Sequence, residues 1–228
     1  MMDLATYVPL APFAAFAVIL LGGLLPKDRG FGAGVSTVVA TLGTGVAFLF
    51  SLLVFASTWG GDGHAHVVAE AVWTSVPGAS DLTLGILVDP LSALMAVIVG
   101  LVAFLVHVFS KGYMNDEDES GLTRYYAELA LFTGSMLAFV FASNLLMAFM
   151  FFELVGLCSY LLIGFWYETP SAASAAKKAF LVTRFGDYFF LVGVVGVFAA
   201  FGSFAFTGDD AFPAIAEEML AAGEPVLG

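Results

Sequence analysis

Long apolar runs, separated by short polar or glycine- and proline-rich stretches, set the pattern of this chain. They cover roughly residues 4–25, 31–57, 88–110, 125–143, 145–166 and 176–204. A helix needs about 20 apolar residues to cross a bilayer. The runs are continuous rather than alternating, which argues for helices and against barrel strands. The pattern therefore predicts an all-α polytopic membrane protein with six transmembrane helices. Between the second and third runs, HVVAEAVW and LTLGILV alternate apolar and polar positions between turn-forming residues. That pattern predicts a short hairpin in the outer loop. The tail holds FPAIAEEMLAAG, whose helical period fits an interfacial helix or the approach to another span. The chain divides into 1–87 (two spans and the outer loop), 88–204 (a four-helix segment with buried charges) and an acidic tail, 205–228. No linker or internal repeat breaks this series.

Composition narrows the class. Of 228 residues, 61% are hydrophobic and 11% charged, against about 25% charged in soluble domains. A water-soluble globule is excluded. The chain opens MMDLATYVPL, with Asp3 and no basic segment before the first run, so that run reads as a span and not as a cleaved signal peptide. Seven basic residues set the orientation. Lys27 and Arg29 lie between spans one and two, Lys111 and Arg124 between three and four, and Lys177 and Lys178 open span six with Arg184 two turns further in. The alternate segments hold no Lys or Arg, so the amino terminus and the 58–87 loop are predicted to face outward. The net charge of −12 comes from acids in the outer loop, in the tail and in the run Asp116-Glu117-Asp118-Glu119. Such runs read as solvated faces. No basic patch exists for nucleic acid. Cys158 is the single cysteine, so neither an internal disulfide nor a cysteine-based metal centre can form.

Several polar residues read as structural. Asp89-Pro90-Leu91-Ser92 matches a helix start, with aspartate as cap and proline at the first helical position. His64 and His66 lack a third ligand, and a solvated loop explains them better than a metal site. His107 lies near the cytoplasmic end of span three, where it can meet interfacial water or act as a proton relay. Glu128, one turn inside span four, is expected to reach the headgroup region.

Glu153 is different. It lies about 12 Å along its helix, at 1.5 Å per residue, and is too short to reach the interface. Gly156, Tyr160 and Gly164 share its face. Two glycines would let a second helix approach, and a tyrosine hydroxyl can bond a carboxylate or water. The plain reading is a protonated glutamate tying two helices together. The functional reading is a proton site, the usual role of intramembrane ionisable groups. Span six supplies partners. Arg184 and Asp187 are three residues apart and can pair on one helix face, Lys177 lies on nearly the same side as Arg184, and Lys177 and Lys178 also suit topology anchors. Burial raises a carboxylate's pKa and a nearby cation lowers it, so small cation movements could load and unload a proton.

FFELVGLCSYLLIGFWYETP followed by KKAFLVTRFGD, with LVDPLSALM, HVFSKGYM and RYYAELALF before them, resembles the antiporter-like L-subunit family of respiratory complex I (NADH–quinone oxidoreductase chain L). The resemblance covers about residues 84–195. It implies a proton-translocating membrane subunit, multi-pass in the cell membrane, in which a span-five glutamate works with a lysine on a broken span seven. Carried over, that glutamate is Glu153, the TR-x-GD residues are Thr183, Arg184 and Asp187, and the lysine before Ala-Phe is Lys178. With His107 these form the expected proton-translocating set: Glu153, Asp187, Arg184, Lys178 and His107. The family's module has about fourteen helices built on two inverted repeats, so this chain is expected to be an amino-terminal portion or one part of a split subunit. It shows no flavin, iron–sulfur or quinone signature. Quinone, iron–sulfur clusters and flavin are therefore expected in partner subunits of the membrane assembly, and this chain to have no redox centre of its own. Two other readings stay open: an Mrp-type cation/proton antiporter subunit, and a non-transporting scaffold.

Overall fold

The computed structural model describes residues 2–24, 32–59, 64–75, 81–114, 119–208 and 210–222. Six long helices follow the six apolar runs. They are α1 (Tyr7–Gly23, led by a 3-10 turn at Met2–Thr6), α2 (Ala33–Thr58), α3 (Pro90–Tyr113), α4 (Glu119–Val140), α5 (Leu145–Ile163) and α6 (Pro170–Phe201). A short α7, Phe212–Ala222, follows.

Local chemistry sets the helix starts. Asp89 caps α3 by accepting from the Ser92 amide at 2.6 Å, while the Asp89 amide donates to the Ser92 hydroxyl at 2.9 Å, a reciprocal capping box. Asn144 caps α5 by accepting from the Met147 amide at 2.8 Å, and its side-chain amide donates to the Thr83 carbonyl. Pro170 opens α6 six residues earlier than the apolar run suggested, because proline lacks the amide that a first turn leaves unused. At the other end of α6, Gly202 takes φ +68, where a side chain would be strained.

Among the described residues, five helices are long and apolar enough to cross a membrane: α1 with its leading turn, α2, α3, α5 and α6. α4 falls outside that group. It carries Arg124 and Glu128, and it packs against α1, α2, α3 and α5 together. Tyr126, Ala130, Thr133, Ser135 and Leu137 on it are buried. A helix walled in by other helices faces protein on most sides and is freed from the apolarity that lipid demands. The predicted count of six spans thus resolves into five apolar helices and a more polar α4, which four of them enclose while α6 packs on α5.

The predicted hairpin is present. β1 (His66–Thr74) pairs antiparallel with β2 (Leu82–Val88), with Glu70 opposite Gly85. It packs on the 3-10 turn, and β2 joins the α4–α5 turn through an Ile86–Ala142 bridge. That turn is in turn bridged to the end of α6, Asn144 to Ala205. The hairpin, the amino-terminal turn and the α6–α7 junction therefore gather at one end of the bundle. Lys111 and Arg124 lie on the helix ends opposite the hairpin, as the charge pattern requires. Lys27, Arg29, Asp116, Glu117 and Asp118 lie outside the described residues.

α2 sits close against α1. A Cβ placed on Gly43 would come within 2.7 Å of the Ala15 Cβ and 3.1 Å of the Ala11 carbonyl oxygen. The core at the hairpin end is formed by residues such as Val8, Val54, Val88, Leu137 and Phe141.

Candidate functional site

α5 and α6 run antiparallel and bring three ionisable residues together. The Arg184 guanidinium is ion-paired with the Glu153 carboxylate, and its Nη1 lies 3.9 Å from the Asp187 carboxylate. Asp187 is buried and Glu153 half-buried. Arg184 also stacks over the Phe180 ring, 4.6 Å from its centroid, and its Nε is buried without a hydrogen-bond partner. Aromatic layers bound the cluster on both sides. Toward the hairpin, Phe190 of α6 meets Phe149 and Phe152 of α5 at 5.4 and 5.9 Å. Toward the other end, Tyr160 meets Phe180 at 5.2 Å.

The two glycines on the Glu153 face behave differently. A Cβ on Gly164 would lie 3.1 Å from the Ala176 Cβ, so α6 does approach there. A Cβ on Gly156 meets nothing within 4 Å, so the expected close packing does not extend to that turn. Lys178 is exposed and lies about half a turn around α6 from Asp187; the α5–α6 packing does not carry it to the cluster.

His107 is not at a water interface. It is fully buried among α2, α3 and α4. Its Nδ1 lies 2.8 Å from the Ala103 carbonyl, which can only accept, so Nδ1 carries the proton. Nε2 lies 3.3 Å from the Thr44 hydroxyl, which is also 2.9 Å from the Ala40 carbonyl. A neutral ring leaves Nε2 as an acceptor, so the Thr44 proton can turn to either side. An aromatic series runs from His107 through Tyr126 and Tyr125 to Phe165.

Glu128 faces neighbouring helices of the bundle. Its side chain is 13% exposed and lies 3.6 Å from the Arg124 guanidinium. It lines a cavity of about 450 Å3 between α4, α5 and α6, with Arg124, Tyr160, Leu161 and Lys177 also on the wall. Reading along the chain missed it because depth was judged from distance to the helix end. The low apolarity of the fourth run was the available signal that this helix is enclosed.

The chemistry of the α5–α6 cluster follows from its charges. Arginine stays cationic in proteins. Two ionised carboxylates around one guanidinium leave one excess negative charge, and one added proton cancels it. In a medium where net charge is costly, such a cluster can take up and release a single proton. Among the described residues, no group of three or more His, Cys, Asp or Glu is placed to hold a metal ion.

Comparisons with known proteins agree with this architecture. Residues 142–221 match the family described as NADH:quinone oxidoreductase/Mrp antiporter, TM, and residues 73–126 match NADH-Ubiquinone oxidoreductase (complex I), chain 5 N-terminus. Subunit 5 of the NAD(P)H-quinone oxidoreductase of Paulinella chromatophora is 46% identical over 162 residues, 71% of this chain and 24% of that protein. The F(420)H(2) dehydrogenase subunit L of Methanosarcina mazei is 42% identical over 193 residues, 85% of this chain and 27% of that protein. The NADH-quinone oxidoreductase subunit L of Mycobacterium tuberculosis is 37% identical over 198 residues, 86% of this chain and 30% of that protein. The chain thus spans 24% to 30% of these relatives' length. In fold it matches a chain of the membrane-bound sulfane sulfur reductase, an archaeal respiratory membrane complex, with a TM-score of 0.71 at 20% identity, covering 90% of this chain and 39% of that one.

Proposed function

The chain belongs to the antiporter-like membrane-subunit family of complex I, and we propose that it forms part of a subunit that moves protons across a membrane as electrons pass to quinone in partner subunits. The observation that carries this reading is the Glu153–Arg184–Asp187 cluster, held inside membrane-spanning helices and closed by aromatic layers on both sides. A scaffold needs no proton-binding charge at that depth, and such groups are costly to place there. In this reading Glu153 is the proton-carrying carboxylate, Asp187 the second acceptor, and Arg184 the cation whose position decides which carboxylate holds the proton. His107 serves as a relay at the α2–α3–α4 junction. Lys178 acts through elements that would pack on the exposed side of α6. Quinone, iron–sulfur clusters and flavin belong to partner subunits, and the site of action is a cell membrane.

The test is Glu153→Gln in the complete protein within its complex. Glutamine keeps the shape and removes the titrating group. Proton pumping is expected to be lost with assembly retained, and normal pumping would favour the scaffold.

A second reading has one observation in its favour: the matched family's description names the Mrp antiporter beside the quinone oxidoreductase. Cation-gradient-driven proton movement, with no electron donor present, would support that reading.

A further inference from the structure

We propose that Glu128 is the proton-loading carboxylate for this site, taking protons from a hydrated chamber and passing them toward Glu153. The proposal rests on the proton-translocating reading above and adds an entry point to it.

The plain role for Glu128 would be to hold Arg124, and the geometry argues against it. Arg124 donates from Nη2 to the Phe165 carbonyl at 2.6 Å, and its guanidinium lies 4.6 Å from the Phe165 ring and 5.3 Å from the Tyr167 ring. The α5–α6 connection therefore fixes Arg124. Its separation from Glu128 is 3.6 Å, beyond a charge-assisted hydrogen bond. The other Glu128 oxygen, Oε2, is buried with no hydrogen-bond partner. A carboxylate placed to clamp an arginine would use both oxygens.

Glu128 also lines a cavity of about 450 Å3, room for several waters, and the lining supplies polar partners for them. Arg124 on its own helix, Tyr160 on α5 and Lys177 on α6 face the same space. Tyr160 stands two turns, about 10 Å, from Glu153 along α5. Side chains on a helix lean toward its amino end, which here is toward Glu153. The Tyr160 ring meets Phe180, and Phe180 in turn lies under Arg184. The Tyr160–Phe180 layer thus lies between the chamber and the ion cluster. In the transfer, a chamber water gives a proton to the Glu128 carboxylate and an O–H bond forms. That bond breaks as the proton passes along water or the Tyr160 hydroxyl to the Glu153–Asp187 pair. Glu128 returns to its anion, and no oxidant or co-reactant is consumed.

The experiment uses the intact complex with the complete subunit, measuring proton uptake in sealed vesicles alongside assembly. E128Q is expected to assemble and to lose part of its pumping, and E128D to fall between E128Q and wild type. E128A is expected to regain pumping when formate, a small acid that fits the vacated space, is added. A wild-type rate in E128Q would overturn the proposal, and so would a loss in E128A that formate does not relieve. Should E128Q fail to assemble, the formate response of E128A decides. E153Q is measured in parallel. Normal pumping there sinks the proton-translocating reading itself, whereas loss in E153Q with none in E128Q sinks this inference alone.

Discussion

The Arg184 guanidinium on α6 lies against the Glu153 carboxylate on α5 and within 3.9 Å of Asp187 on its own helix. One cation therefore serves two acids from two helices. The pairing needs both the α5–α6 approach at Gly164 and the i, i+3 spacing on α6.

A double-mutant cycle should expose this coupling. R184Q leaves two carboxylates facing each other without their cation, so assembly yield and thermal stability should fall. The R184Q/E153Q double variant should recover part of that loss, since one of the two stranded carboxylates is gone and Asp187 no longer faces a second negative charge. A coupling on the order of 1–3 kcal/mol is expected for residues in direct contact, read from thermal unfolding of the four proteins. Pumping should stay absent in the double variant, and additive losses would show that the pair does not interact.

His107 offers a separate test of a relay. H107Q keeps a buried amide beside Thr44 but removes a group that can change its protonation. Assembly should hold while proton pumping falls. T44A, which removes the hydroxyl near Nε2, should give a smaller decrease in the same vesicle assay.

Asp89 is expected to matter for stability alone. D89A removes the cap at the start of α3 and should cost about 1 kcal/mol. Its thermal midpoint should drop, while pumping per assembled complex stays at the wild-type level. A pumping loss beyond the drop in assembled protein would assign Asp89 a part in proton movement.

Two glycines on α2 should respond to the same change with opposite signs. G34A meets nothing within 4 Å and should stabilise by up to about 1 kcal/mol, through helix propensity. G43A drives a methyl to within 2.7 Å of the Ala15 Cβ, and overpacking of this kind costs about 1–3 kcal/mol. Thermal melts of the two variants check whether the α1–α2 approach is as tight as described.

Much of the architecture was legible along the chain. Runs of about 20 apolar residues can satisfy their backbone in lipid as helices, so the helix order follows from hydropathy, although the fourth run is too polar to count as a span by that measure. The alternation in HVVAEAVW and LTLGILV gave the hairpin, since a period of two suits a pleated strand. The Asp89-Pro90 start was equally local. Glu153 and Asp187 stood out because a carboxylate in the middle of an apolar run has no cheap explanation.

What the sequence determined by itself, then, was whatever depends on near neighbours: helix positions, caps, the hairpin, and which residues carry charge at depth. Tertiary structure decided which charges meet and which are enclosed. Arg184 turns to Glu153, and Lys178 turns away, because of how α6 rotates against α5. His107 is buried and Glu128 half-buried because α4 is wrapped by four other helices, a fact that hydropathy measured along one helix cannot contain. Burial belongs to the set of surfaces around a residue, and that set is fixed only when the helices pack.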